Sequence, residues 1–332
     1  MAAPEQHDSV DAAAEPQGHW RRAGFREIGR IAAELRNAEF RYVPFTARLR
    51  SERWAQRVVP VRGALDAHLL RGGGWQILFD TALPFTSEPA AEQRRDSGDG
   101  SERLRGSAVM VTATGLVLPA LGGAGSLPAQ FAAALAATHG QVYSIMGTGE
   151  DVRLVEEAVR RPIGTSVDYL LMTLDAGKLR VPGEAADTQE LRFHRGSPTD
   201  TGRLFELQRG YEIEEVLLRP ARFNADNCRR HLRQALRTEL VLYATRRGRP
   251  VAKAGTNYRG FSVDMVGGVY TLPELRSRGI GAAMMGALLQ RIFAAGRSAS
   301  LFVKPHNAAA LRLYEKLGFV VRGDYRIAYY FE

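Results

Sequence analysis

A glycine-rich turn, Arg276-Ser277-Arg278-Gly279-Ile280-Gly281, joins a strand-forming run, Gly267-Gly268-Val269-Tyr270-Thr271, to a helical pattern over 282–295. Glycines at such a junction let the backbone approach a ligand closely, and the amides of a first helical turn have no acceptor within the helix. Together with the helix dipole those amides attract an anion, and arginines beside them add charge-assisted contacts. The turn is therefore expected to hold a phosphate group, in a fold where strands and helices alternate.

The surrounding chain fits that expectation. Its 332 residues suffice for two domains of ordinary size. Apolar content of 45% and charged content of 24% are those of a soluble globular protein. No apolar run reaches the ~18 residues of a membrane span. Glu5, Asp8, Asp11 and Glu15 stand where a signal peptide would be basic and then apolar. Cys228 is the only cysteine, so no internal disulfide forms, and a reducing cytoplasm is the expected location. The net charge of +9 comes almost wholly from arginine, since lysine occurs only at 178, 253, 304 and 316. The arginines are scattered, with no basic run and no interleaved aromatics, which fits an anionic small ligand better than a nucleic acid. No His, Cys and Asp spacing suggests a metal.

Along the chain, residues 1–20 read as disordered. Phe25, Ile28, Ile31, Ala32 and Leu35 recur at helical spacing, and a second helix is expected over 61–70. Strands follow at 75–79, 107–112 and 115–121, with 86–103 as a surface loop. A helix at 128–138, a strand at 141–146, a helix at 151–160 and a strand at 167–174 complete a first domain, 21–176. Residues 177–187, with Pro182 and Gly183, read as a linker. In the second domain, 188–332, a strand at 190–194 precedes a helix through Leu204, Phe205 and Leu207 and another over 227–237. Strands at 240–244 and 251–257 flank Arg247-Gly248-Arg249, a hairpin signal. A long strand at 261–271 enters the glycine turn. The helix after it stops at Gly296, a strand spans 300–304, a helix spans 307–317, and two short strands close at 319–322 and 325–331. This order gives an α/β fold with a mixed sheet and helices on both faces.

Two of these segments carry a family likeness. Val269-Tyr270-Thr271-Leu272-Pro273 with the 276–281 turn resembles motif A of the GNAT superfamily of acyl-CoA N-acyltransferases, written [RQ]-x-x-G-x-[GA]. Asn307-Ala308-Ala309-Ala310-Leu311-Arg312-Leu313-Tyr314-Glu315-Lys316-Leu317-Gly318-Phe319 resembles its motif B. The resemblance covers about 188–332. It implies two parallel strands that splay apart around acetyl-CoA. It also implies main-chain pairing of Val269, Tyr270 and Thr271 with the pantetheine arm. The diphosphate is then expected on the amides of Ser277, Arg278, Gly279, Ile280, Gly281 and Ala282, with Arg276 beside it. Asn307 is expected on the opposite wall, and Tyr314 near the sulfur.

Acyl transfer to an amine needs a neutral nucleophile and a protonated leaving thiol. Deprotonating a lysine-like amine of pKa ~10.4 near neutral pH costs ~4 kcal/mol, so a base or a water chain helps. Tyr314 holds the motif position for the proton donor. Candidates for the base are Asp264, before the cofactor-contacting segment, and Glu215, with Glu214, in the loop after the first helix of the domain; His306 is a third. No carboxylate occupies the strand position used by some family members, where Met265 stands, so a water relay remains open. Acidic residues at the mouth suit a cationic small-molecule or peptide amine. A second enzyme reading keeps the cofactor but uses a longer acyl chain, which the motifs do not distinguish; a non-catalytic acyl-CoA-binding sensor is the alternative from another class.

Residues 107–174 repeat the strand and helix order of 267–331, with Pro119 placed like Pro273. Leu121-Gly122-Gly123-Ala124-Gly125-Ser126 stands where the phosphate turn would be, without arginines. Glu156 and Glu157 stand where Asn307 and Tyr314 would be. This reads as a degenerate GNAT-like domain.

Overall fold

The computed structural model describes residues 20–51, 75–80, 104, 106–122, 124–138, 141–180, 188–218 and 222–331. Residues 1–19 of the expected tail, the helix at 61–70, the loop at 86–103 and most of the linker lie outside them, while Trp20, the last residue of that tail, is buried in a strand. The described chain forms two successive series of one strand, two helices, three strands, a helix, a strand, a helix and a strand. The first comprises β1 (Trp20–Arg22), α1 (Phe25–Leu35), α2 (Glu39–Ser51), β2 (Trp75–Asp80), β3 (Ala108–Thr112), β4 (Leu116–Ala120), α3 (Ala129–Thr138), β5 (Ser144–Thr148), α4 (Gly149–Val159) and β6 (Thr165–Leu174). The second comprises β7 (Leu191–Arg195), α5 (Phe205–Tyr211), α6 (Ala225–Thr238), β8 (Val241–Arg246), β9 (Arg249–Arg259), β10 (Val263–Thr271), α7 (Ile280–Ala294), β11 (Ser298–Val303), α8 (Ala308–Leu317) and β12 (Val320–Tyr329).

Local chemistry explains most of these elements. In α1, Ile28, Ile31, Ala32 and Leu35 fall on one stripe and are all buried. Arg247 and Gly248 both take positive φ, 49° and 80°, which is what a two-residue hairpin turn between β8 and β9 requires. Helix α8 is capped by Asn307, whose side chain accepts from the Ala310 amide at 3.1 Å, and it stops at Gly318 with φ 101°. One helix was not foreseen. α2 contains Pro44 and bends at Tyr42, so its apolar residues do not keep helical spacing. It is held by Glu39, whose carboxylate accepts from the amides of Phe261 and Ser262 and from the Thr46 hydroxyl. The two closing strands of the sequence reading are one, β12, because a bulge between Val321 and Gly323 carries the strand through without a break.

All twelve strands form one sheet, in the order β1-β2-β3-β4-β5-β12-β6-β11-β10-β9-β8-β7. The order reads the same from either end once each strand is matched to its counterpart six positions later. The last strands of the two series have changed places: β12 lies against β5, and β6 lies against β11, both antiparallel. Side chains alternate along β6, so Leu171 enters the core of the first half while Met172 and Leu174 enter the core of the second.

Candidate active site

The parallel strands β10 and β11 pair only at Val263–Met265 with Ser298–Ser300. Beyond Met265 they part, and β10 runs on to Thr271 with its polar edge on that side free of β11. An extended chain with amide groups can pair there as an added strand. Val269, Tyr270 and Thr271, expected to face such a ligand, lie on this stretch, beside a bulge in which Gly268 takes φ 62°.

The parted end is closed by the glycine turn. Gly279 adopts the left-handed conformation, φ 78°, and caps α7, whose first backbone bond runs from Ala283 to Gly279. The amides of Ile280, Gly281 and Ala282 thus have no acceptor within the helix. A Cβ on Gly281 would meet Thr271 at 3.6 Å and Leu313 at 3.7 Å, so this turn bridges the end of β10 and α8. Ser277, Arg278 and Gly279 are exposed. These features fit a diphosphate. Arg276 is already engaged: it donates to the Thr271 carbonyl at 3.1 Å and to Glu214 at 2.7 Å, above the Tyr270 ring.

On the other wall, Tyr314 of α8 is buried. Burial raises its pKa well above that of a free phenol, helped by the nearby Tyr211 and Glu215, so the hydroxyl keeps its proton. Glu215 lies in the π-helical turn Glu212–Val216 that follows α5. Its carboxylate sits 3.5 Å from Lys304 Nζ and accepts from Asn307 Nδ2 at 3.3 Å, while Lys304 also donates to its carbonyl oxygen at 2.9 Å. The expected residues Tyr314, Asn307 and Glu215 therefore come together, although Asn307 spends its oxygen on the α8 cap. Glu214 accepts from the Tyr270 hydroxyl at 2.6 Å. Burial pushes its carboxyl up, but the bonds from Tyr270 and Arg276 outweigh that and hold it low.

Asp264 does not join them. Its side chain is fully buried and pairs with Arg297 at 2.7 Å and with Arg259 at 3.4 Å. It stands where β10 and β11 are still paired, roughly 20 Å of extended strand from Thr271. An enclosed, ion-paired carboxylate at that end is a structural group, and the reading of Asp264 as a base is corrected accordingly. Met265 is buried and His306 is exposed.

Sequence reasoning missed three side chains here. Lys253, on β9, is buried and donates to the Gly268 carbonyl at 2.9 Å. Burial lowers its pKa to about 8, against the opposing pull of Glu212 and Cys228. A lone lysine in the apolar run Val251-Ala252-Lys253-Ala254 was its signal. Tyr211 underlies it, 4.6 Å from Nζ to the ring centroid. Tyr169 of β6 follows the Leu170–Val303 pair, which places it beside Lys304, and its ring meets Phe302 edge-on at 4.8 Å. The exchanged strand thus brings the first half to the site.

In the first half, β4 and β5 also part, after Leu116–Val117. Pro119 lies within β4, paired across from Val109, rather than after the strand as Pro273 does. A Cβ on Gly147 would lie 3.3 Å from the Pro119 ring, so that ring fills the gap. Thr148 caps α4 as Asn307 caps α8. By this alignment the counterparts of Asn307 and Tyr314 are Thr148 and Val155, not Glu156 and Glu157; Glu156 instead pairs with Arg326 at 2.9 Å.

Among the described residues no three His, Cys, Asp or Glu side chains gather as a metal site, and no helix is long and apolar enough to cross a membrane.

The parallel strands part toward the glycine-capped start of α7, an arrangement that an extended, phosphate-bearing ligand would fit. Residues 204–319 match the family model described as the acetyltransferase (GNAT) family. A Drosophila protein of known structure has the same fold, with 15% identity over 94% of this chain and 99% of its own, at a TM-score of 0.59. A GCN5-related N-acetyltransferase from Kribbella flavida is 17% identical over 87% of this chain and 96% of its own, with a TM-score of 0.47. A protein of Novosphingobium aromaticivorans assigned to the GNAT family is 24% identical over 50% of this chain, which spans 65% of that protein's length, with a TM-score of 0.38. No curated protein matches the chain.

Proposed function

We propose that this protein is an N-acetyltransferase that moves an acetyl group from acetyl-CoA to a primary amine, by direct attack while both are bound. The observation that carries the reading is the glycine-capped start of α7 at the open end of the β10–β11 cleft. The amides of Ser277 to Ala282 hold the diphosphate, Arg278 adds charge, and the free edge at Val269–Thr271 pairs with the pantetheine arm. Bound there, the cofactor supplies an activated acyl thioester.

The chain supplies the proton traffic. Glu215 takes the proton of the incoming amine, directly or through water. Tyr314, kept protonated by burial, gives its proton to the departing thiolate. Glu214 and Glu215 at the mouth favour a cationic small-molecule or peptide amine. The first half, 21–176, is a degenerate copy whose own cleft is plugged by Pro119 and which contributes Tyr169 to the acceptor side; 188–332 is the catalytic part. A cytoplasmic setting suits a lone, buried Cys228.

Calorimetry with coenzyme A, followed by an amine panel read by thiol release, tests this reading. Tyr314→Phe should lose turnover by ~10²-fold and keep coenzyme A affinity. Binding without turnover on any amine would favour a non-catalytic acyl-CoA sensor, and absence of binding would remove both readings.

A further inference from the structure

The bulge in β10 is held from behind by a buried cation. Gly268 and Val269 have no register partner on β9, whose pairing with β10 passes from Gly267 to Tyr270. Lys253 is the partner of Tyr270, yet its ammonium reaches the carbonyl oxygen of Gly268, 2.9 Å away. The residue is 3% exposed. Tyr211 lies under its head group, and Glu212 and Cys228 are the other titratable groups that face it. Glu212 is itself met by Gln208 at 3.1 Å and by His231 at 3.9 Å. Burying an ammonium costs several kcal/mol that an apolar side chain in the same place would avoid. A purely structural strand position has no need of it.

The geometry of the peptide unit shows what the lysine does. In a trans peptide the carbonyl and the N–H point in opposite directions. A cation on the Gly268 oxygen leaves the Val269 N–H aimed away from Lys253. It also polarises that N–H into a stronger donor. We propose that Lys253 is a positioning residue that fixes the Gly268–Val269 peptide so that the Val269 amide faces the carbonyl oxygen of the transferred acyl group. The inference rests on the transfer reading above. In that step the amine nitrogen bonds to the thioester carbonyl carbon and the carbon–sulfur bond breaks. The amine proton goes to the base, the thiolate receives the Tyr314 proton, and charge builds transiently on the carbonyl oxygen, where a fixed donor is worth most.

The test uses the full chain with Lys253→Met and Lys253→Gln. Expected for Lys253→Met are a fall in kcat of at least about tenfold, coenzyme A affinity within about twofold of the parent, and hydrogen–deuterium exchange about tenfold faster over 267–270. Hydroxylamine, an acceptor already neutral across the range, should show parent turnover declining above about pH 8, where Lys253 loses its charge, and no such decline in Lys253→Met. Lys253→Gln, which keeps a donor without charge, should fall between the two, and it carries every arm if Lys253→Met does not fold. Unchanged kcat, pH profile and exchange in the folded variants would overturn the proposal. If the parent acetylates no amine at all, the transfer reading is what fails, and the exchange measurement still decides whether Lys253 sets the bulge.

Discussion

Arg276 donates from Nη2 to Oε2 of Glu214 at 2.7 Å, tying the turn before α7 to the turn after α5. On the proposed reading, a diphosphate at α7 would compete with Glu214 for the same guanidinium. Both side chains are well exposed, so the pair itself adds at most ~1 kcal/mol to stability. Glu214→Gln should therefore leave the melting temperature nearly unchanged and tighten coenzyme A binding about two- to fivefold at low salt. Weaker binding by calorimetry would show that Arg276 does not serve the phosphates.

Gly279 is the residue whose backbone the cleft depends on. At φ 78° a side chain costs ~1–2 kcal/mol. Gly279→Ala should lower thermal stability by that amount and reduce coenzyme A affinity about tenfold, because the cap and its amides shift together. A titration matching the parent would locate the phosphate elsewhere.

Asp264→Asn distinguishes an architectural carboxylate from a catalytic one. Removing its charge leaves Arg297 buried without its counter-ion, a loss of ~3–5 kcal/mol. Chemical denaturation should show that loss, while kcat per folded molecule stays within about twofold. A large fall in kcat with unchanged stability would restore Asp264 as a candidate base.

Asp151 gives the fold a pH dependence. Burial raises its carboxyl to about 6, only partly offset by the bond from Thr148. A carboxyl raised above its unfolded value contributes stability that is complete below about pH 4 and is lost as pH rises through about 6. The loss is on the order of 3 kcal/mol. Asp151→Asn should match the parent near pH 4 and melt at a higher temperature at pH 7; equal melting at both would refute it.

Much of the second half was legible in the chain. Gly279 and Gly281 after a strand, Asn307 before a helix and Gly318 after it are local signals, and each determines its own backbone. α2 was hidden because Pro44 breaks the apolar spacing and because its anchor, Glu39, answers to amides at 261 and 262, more than two hundred residues away. The exchange of β6 and β12 left no trace in the sequence, since it is a choice of distant neighbour that no local signal in either strand specifies. Asp264 misled because strand position alone does not reveal Arg297. Lys253 was visible as an oddity, but only the bulge at Gly268 explains why a charge is there.

With the closing strands interleaved across the middle of one continuous sheet, the described residues of the two halves share a single framework. Loosening one half should therefore be felt as a misaligned wall in the other, since Tyr169 of the first half stands against Phe302 of the second.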